Sequence, residues 1–337
     1  MENSKNYNVL AAFISKAKFI VIVTHYKPDG DAIGSATALY NYLLKLGKKV
    51  SIVIPSEYPD FLNWMIGAST AIDAEKKLDE AVNAINEADL LFCLDFNQFE
   101  RTELLASILK DAAGTKVLID HHINPDPSFD FIFSDTKACA TCQLIFELIV
   151  ALGHQHLIDQ AIAESLYCGI MTDTGSFRFE RMQPEVHHII AALQTSGARN
   201  YKVHEWVYDQ NSFDRLKLLG FALNNCLTKI DGYAVTFIAL SANDLNKFDH
   251  KTGDTEGLVN YALSVKGTKM AALFTEKQGV IKISFRSKDE FSVQEFSRKY
   301  FNGGGHFNAA GGRSNLSLEE TVIEFISKVK LYDVLKD

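Results

Sequence analysis

Short runs of uninterrupted apolar residues alternate with longer stretches of mixed character from Phe19 to about Arg181. The runs FIVIV, KVSIVI, LLFCL and KVLI are rich in Val, Ile, Leu and Phe and are bounded by polar residues, the pattern of strands buried on both faces of a parallel sheet. Strands are expected near 19 to 24, 48 to 54, 89 to 95, 115 to 120 and 129 to 134, with helices near 32 to 46, 76 to 87, 100 to 111, 140 to 152 and 157 to 171. Alternation of this kind predicts an α/β fold whose mostly parallel sheet is flanked by helices.

The pattern changes at Pro184. From there to about Asn225 the chain reads as helical, with Leu216, Leu219 and Leu223 at helical spacing, and is taken as a connector. A smaller α/β domain then begins with CLTKIDGYAVTFIAL, where Asp231 and Gly232 suit a hairpin turn. Its further elements are a helix near 256 to 265, two strands within KMAALFTEKQGVIKISFRS and a helix near 292 to 301. The glycine-rich NGGGHFNAAGG follows, then an amphipathic helix near 317 to 335 that turns Leu318, Val322, Phe325, Ile326 and Val329 to a core. The expected domains are 1–183, a connector 184–225, and 226–337.

A length of 337 residues suits two such domains, and 47% apolar with 23% charged residues is ordinary for a globular protein. No stretch approaches the roughly 18 apolar residues of a membrane span, and MENSKNYNVLAAFISKAKF lacks a basic start followed by a clean apolar core. No membrane partner and a cytoplasmic location are therefore expected. Cys93, Cys139, Cys142, Cys168 and Cys226 lie mostly inside apolar segments and read as reduced, buried thiols; the CATC tetrapeptide lacks the second pair of a zinc site. A net charge of −8 argues against coating long nucleic acid. It leaves room for a phosphate ligand in a cleft whose field is reversed by bound cations and local arginines.

Candidate chemistry collects where the strands end. VIVTHYKPDGD, LLFCLDFN, VLIDHH and GIMTDTG place His25, Asp29, Asp31, Asp95, Asp120, His121, His122 and Asp173 at or near segment ends. In open α/β sheets the carboxyl edge is the ligand-binding crevice, so residues distant in sequence converge there. Clustered carboxylates raise one another's pKa and need a counter-charge, for which a divalent metal is the simplest choice. Taken alone, Pro28 to Asp31 reads equally well as a turn and helix N-cap, and Asp173 with Gly175 as a helix C-terminal turn. Adjacent histidines after an aspartate allow one imidazole to bind metal while its neighbour faces substrate, with Asp120 as orienting group. The pairs His154/His156 and His187/His188 have no such company and read as helix surface or packing. In GGGHFNAAGG the backbone around His306 lets main chain approach a phosphate closely. Arg286, Arg298, Lys299 and Arg313 supply fork-shaped or point-charge donors nearby in sequence, although each alone reads as a solvated face.

These motifs, in this order, resemble the DHH phosphoesterase superfamily, with Asp120, His121 and His122 as the Asp-His-His run and GGGHFNAAGG resembling the glycine-rich motif of a C-terminal DHHA1 domain. The resemblance spans about residues 15 to 315 and is nearest to the branch of bifunctional oligoribonuclease and pAp phosphatases. It implies two divalent cations, Mn2+ foremost with Mg2+ or Co2+ as alternatives. One would be held by His25, Asp29 and Asp95, the other by Asp31, Asp95, His121 and Asp173, with Asp95 bridging. Mixed imidazole and carboxylate donors suit manganese or another first-row metal better than all-oxygen magnesium sites do. His122 is implied as the catalytic imidazole beside the substrate phosphate, with Asp120 and Asp95 at the same centre. Arg286, Gly303, Gly304, Gly305, His306 and Arg313 are implied to bind the nucleotide.

Expected substrates are short RNA oligonucleotides and pAp (3′-phosphoadenosine 5′-phosphate), and a homodimer is compatible. Three alternatives stay open. A manganese-dependent inorganic pyrophosphatase or polyphosphatase is expected to carry a lysine- and arginine-rich motif in place of GGGH. A RecJ-like single-strand exonuclease is expected to add a nucleic-acid-binding domain, and a non-catalytic nucleotide-binding regulator is expected to have lost a ligand, whereas all six are present.

Overall fold

The computed structural model describes residues 7–179, 182–251 and 253–337. The first residues of the chain and the expected close of the strand–helix alternation near Arg181 lie outside them. Two compact units, 1–210 and 211–337, make up the chain.

The first unit contains α1 (Tyr7–Lys16), β1 (Phe19–Val23), α2 (Gly30–Lys45), β2 (Lys49–Ile54), β3 (Ile72–Asp73), α3 (Leu78–Glu87), β4 (Leu90–Leu94), α4 (Ala106–Asp111), β5 (Thr115–Asp120), β6 (Phe131–Ser134), α5 (Thr141–Ala151), α6 (Gln160–Asp173), α7 (Pro184–Thr195) and α8 (Asn200–Tyr208). Its six strands, in the order β3-β2-β1-β4-β5-β6, are all parallel. Every residue of β1 and β4 is buried because alternate side chains enter two different cores. Ile20, Ile22, Leu90, Phe92 and Leu94 pack with α2, α5 and α6 on one side. Val21, Val23, Leu91 and Cys93 pack with α3 and α4 on the other. This double burial is what an unbroken apolar run encodes.

The chain winds outward from β1 through β2 to β3, then returns to place β4 on the opposite flank of β1. The reversal opens a crevice beyond the carboxyl ends of β1 and β4, the general ligand position in such sheets. The helix expected over 100 to 111 is divided: residues Phe99–Leu105 form a 3-10 turn containing Glu103 at φ 50°, and α-helical geometry starts only at Ala106. The helical stretch 184–225 contributes to both units. Val186, Ile189, Leu193, Val203 and Val207 join the core of the first, while Leu218 and Ala222 join a core of the second.

The second unit contains α9 (Phe213–Phe221), β7 (Leu227–Lys229), β8 (Val235–Leu240), α10 (Ala242–Lys247), α11 (Leu258–Leu263), β9 (Met270–Lys277), β10 (Val280–Ser287), α12 (Val293–Tyr300), β11 (Gly304–His306), β12 (Ala309–Ser314) and α13 (Leu318–Val329). Its sheet runs β11-β12-β10-β9-β8-β7, with β8 and β9 parallel and the other neighbours antiparallel. On one face Phe237, Phe274 and Phe285 pack with Phe296 of α12 and Phe325 of α13. On the other, Ile238, Ala271 and Leu273 pack with Leu218, Leu245 and Leu258 from α9, α10 and α11.

The glycine-rich segment is a hairpin in which Gly304, Gly305 and His306 face Gly311, Ala310 and Ala309. A Cβ at Gly303 would overlap the Gly311 carbonyl, and Gly305 has φ 140°, so glycine is demanded at both positions by close strand approach and by backbone conformation. Among the described residues no helix is long and apolar enough to cross a membrane.

Candidate metal centre

The loop after β1 carries His25 and leads into Asp29, which caps α2. Asp29 Oδ1 accepts the amides of Asp31 and Ala32 at 3.0 and 3.1 Å, so the turn-and-cap reading of this segment is realised. Asp31, in the first turn of α2, is fully buried. Its carboxylate accepts the amides of Thr141 at 2.6 Å and Cys142 at 2.9 Å, the first two residues of α5, where free N–H groups and the helix dipole favour an anion. Around this contact α2 and α6 lie very close. A Cβ at Gly169 would overlap Cys142 Sγ and come within 2.8 Å of Asp31 Oδ1, and one at Gly34 would sit 2.6 Å from the Ser165 carbonyl.

Asp95 follows β4 with φ 65°, a left-handed conformation uncommon for a residue with a side chain and frequent at functional sites. Its amide still donates to the Ile119 carbonyl. Asp120 ends β5, His121 and His122 follow it, and Asp173 is the last residue of α6.

Asp95 stands at the middle of this arrangement. Its Oδ2 lies 3.5 Å from His25 Nε2, whereas its Oδ1 lies 3.5 Å from His121 Nε2. His25 Nε2 is also 3.9 Å from Asp29 Oδ1. On the far side, His121 Nε2 is 3.9 Å from Asp31 Oδ2 and 3.3 Å from Asp173 Oδ2. Two groups of converging donors result, His25 with Asp29 and Asp95, and Asp31 with His121 and Asp173. His122 belongs elsewhere in the cluster: its Nδ1 is 2.7 Å from Asp120 Oδ1 and 3.8 Å from Asp95 Oδ1.

The electrostatics set the charge that such a cluster must balance. Burial opposes a charge on His25, yet Asp29 and Asp95 outweigh it and push its pKa up to about 10. His121 is likewise pushed up to about 10, burial being overcome by Asp95 and Asp173. Burial and then the repulsion of Asp95 and Asp173 drive Asp31 well above the ordinary carboxylate range. Asp95 is held well below that range, since His121 and His25 more than offset its burial. Protons on His25, His121 and Asp31 thus supply the balancing charge, in the places where divalent cations would supply it instead. The donor set and its charge fit divalent cations.

Two residues at this centre carried no sequence signal of their own. Thr141 donates from Oγ1 to Asp95 Oδ1 at 3.0 Å, and it lies inside CATC, where cysteine spacing draws the eye. The four cysteines of the first unit are buried and all five are free; Cys142 serves the site through its amide. Arg101 approaches His122 Nε2 with Nη1 at 2.8 Å, and its one legible trait was a place six residues beyond Asp95. The pair His187/His188 is exposed on α7, and His154 accepts or donates a 2.6 Å hydrogen bond with Tyr42 Oη away from this centre.

In the second unit the register sets Arg286, Ala309 and His306 side by side on three adjacent strands, so both polar side chains project from one face with a small residue between them. Arg313 is exposed farther along the same face, opposite Lys282. A Cβ at Gly304 would meet open space.

The DHH family N-terminal domain model matches residues 19–170, and the DHHA1 domain model matches residues 231–332. A Thermus thermophilus protein described as bifunctional oligoribonuclease and PAP phosphatase NrnA is 30% identical over 314 residues, covering 92% of this chain and 89% of that protein. The crystal structure of an exopolyphosphatase-related protein from Bacteroides fragilis matches at TM-score 0.93 and 36% identity, covering 97% of this chain and 96% of that one. The structure of exonuclease RecJ bound to manganese shares the fold at TM-score 0.54 and 15% identity, covering 97% and 95%. With its Asp-His-His run at the end of β5 and its glycine hairpin in the second unit, the chain belongs to the DHH family and is a phosphoesterase built from a DHH and a DHHA1 domain.

Proposed function

We propose that this phosphoesterase degrades very short oligoribonucleotides and removes the 3′-phosphate of pAp, using two divalent cations, of which manganese suits the donors best. The observation that carries the reading is Asp95, whose two carboxylate oxygens face His25 and His121 separately, with a further set of donors on each side. His25, Asp29 and Asp95 would hold one cation, and Asp31, Asp95, His121 and Asp173 the other. When bound, such a pair supplies Lewis acidity at phosphorus and an activated water. The protein's part is orientation. Thr141 and Cys142 fix Asp31, Thr141 fixes Asp95, and the Ala138 carbonyl, 3.3 Å from His121 Nδ1, leaves Nε2 as that ring's ligand atom.

His122, oriented by Asp120, stands beside the substrate phosphate in this reading. Arg286, the Gly303–His306 segment and Arg313 supply donors for a terminal phosphate or nucleotide. The relative from Thermus thermophilus, a bifunctional oligoribonuclease and PAP phosphatase, supports the substrate class, and the manganese bound to RecJ supports that metal. An acidic chain gains little from phosphates beyond its site, so lengthening the substrate adds repulsion without grip. The test is a turnover series with manganese on pAp, pyrophosphate and RNA of graded length from dinucleotide to long chains. Rates should be highest on pAp and the shortest RNAs; rates that rise with length or favour pyrophosphate overturn the assignment.

A further inference from the structure

We propose that Arg101 is a second phosphate-binding residue of the reaction, and that Asp120 and His122 act by aiming it. The inference rests on the reading that places His122 beside the substrate phosphate. An arginine can only donate, so His122 Nε2, 2.8 Å from Nη1, must accept. The proton of the ring is then on Nδ1, where it is donated to Asp120 Oδ1 at 2.7 Å. A directed chain results: the buried carboxylate fixes the imidazole, and the imidazole fixes one end of the guanidinium. The same Nη1 also reaches the carbonyl of Asp95 at 3.4 Å, and the Arg101 carbonyl accepts the Tyr26 amide at 2.7 Å, next to His25. Buried Phe99 and Leu105 hold the turn that carries it.

What the guanidinium lacks is an anion. Among the described residues no carboxylate pairs with Arg101, and its Nε and Nη2 donors have no partner. A half-buried arginine is normally matched by a carboxylate, and here five aspartates lie in the same cluster without one of them taking that place. The two remaining donors form a planar fork of the kind that binds phosphoryl oxygens bidentately. A cation fixed at this point binds the oxygens of the reacting phosphate that the metals leave exposed, and it gains charge complementarity as that group becomes more negative.

The experiment uses the full chain loaded with manganese and compares wild type with Arg101→Gln, Arg101→Lys and His122→Ala. Inorganic phosphate is titrated by calorimetry, metal content is measured by elemental analysis, and turnover is followed on pAp. Arg101→Gln should bind phosphate roughly ten- to a hundredfold more weakly with metal content unchanged. Arg101→Lys, which keeps the charge and loses the fork, should recover part of the affinity. His122→Ala should weaken phosphate binding less than Arg101→Gln, and adding it to Arg101→Gln should cost little more. Phosphate affinity equal to wild type in Arg101→Gln overturns the proposal. So does loss of metal in that variant, which would make Arg101 a strut of the metal site. If wild type turns over neither pAp nor a dinucleotide, the substrate reading fails by itself, and the phosphate titration still decides the role of Arg101.

Discussion

The two sheets of this protein carry their polar residues in opposite ways. In the first unit the strands are apolar on both faces, and the chemistry begins where they stop, in loops and helix starts that surround buried carboxylates. In the second unit Arg286 and His306 stand on the strands themselves, in one row of one face. Charge beyond strand ends can be concentrated until it needs a counter-ion, and its members then depend on one another. A row on a sheet face is modular, because each side chain is fixed by its own strand. Removing one member of the first kind should therefore disable the whole, and removing one of the second should weaken by a single increment.

Asp95→Ala is the severest test of that contrast. It should abolish hydrolysis and lower bound metal while circular dichroism stays near wild type; the apo protein should melt at a lower temperature, since His25 and His121, which hold Asp95 well below the ordinary carboxylate range, lose their partner. Near-normal turnover with full metal content would show that the cluster is not interdependent.

Next in size is the response of the metal-free protein to pH. His25 and His121 have pKa values pushed up to about 10 in the fold, against an ordinary value of 6.5. Their protonated forms contribute stability that is complete below pH 6.5 and is lost as pH rises through about 10. The melting temperature of chelator-treated protein should accordingly fall across that window. Added manganese should remove the decline, because cations then take over the charge balance, and their binding should release protons. A flat apo profile would mean that the carboxylates are balanced by something else.

Arg286→Ala tests the modular side. It should reduce kcat/KM on short substrates by roughly ten- to a few hundredfold, the equivalent of one charged hydrogen bond, with metal content untouched. The smallest effects separate two glycines. Gly169→Ala inserts a methyl group against Cys142 Sγ and Asp31, and should cost about 1–3 kcal/mol of stability as overpacking. Gly304→Ala enters open space and should change stability by less than about 0.5 kcal/mol, so any loss of activity there reports on substrate contact alone.

Much of the first unit was legible because double-sided burial writes itself as an unbroken apolar run, and β1, β4 and most of β5 lie where such runs stand; β2 and β6 also lie where strands were expected, although they are only partly buried. The two-residue β3 has no run to read, and α10 is a six-residue helix set by a Ser241–Asp244 capping box instead of by periodicity. The hairpin of β11 and β12 was hidden for a different reason. Glycine has low strand propensity, and the ladder from β12 to β10 decides the conformation through contacts distant in sequence. The amphipathic C-terminal helix was expected to run to 335 but stops at Val329, with a 3-10 turn at Asp333–Leu335; Phe325 and Val329 are buried as expected. In the site, the aspartates and histidines were visible because four strand or helix ends repeated the same residue types. Arg101 and Thr141 were not, since a single arginine or threonine is ordinary anywhere and acquires meaning only from what lies within 3 Å of it.

Asp29 joins two processes that proteins often keep separate. The oxygen that starts α2 by accepting two amides is the one that faces His25. In the proposed reading, orientation of this arm is complete once the helix has formed, and no rotamer search remains for an incoming ion to arrest. Asparagine in its place would preserve the helix start, being as good a cap, and would remove the negative charge. Inheritance of the fold and inheritance of the catalyst can therefore part company at this residue by the exchange of an oxygen for an amide nitrogen, a route by which a descendant could keep the architecture and lose the chemistry.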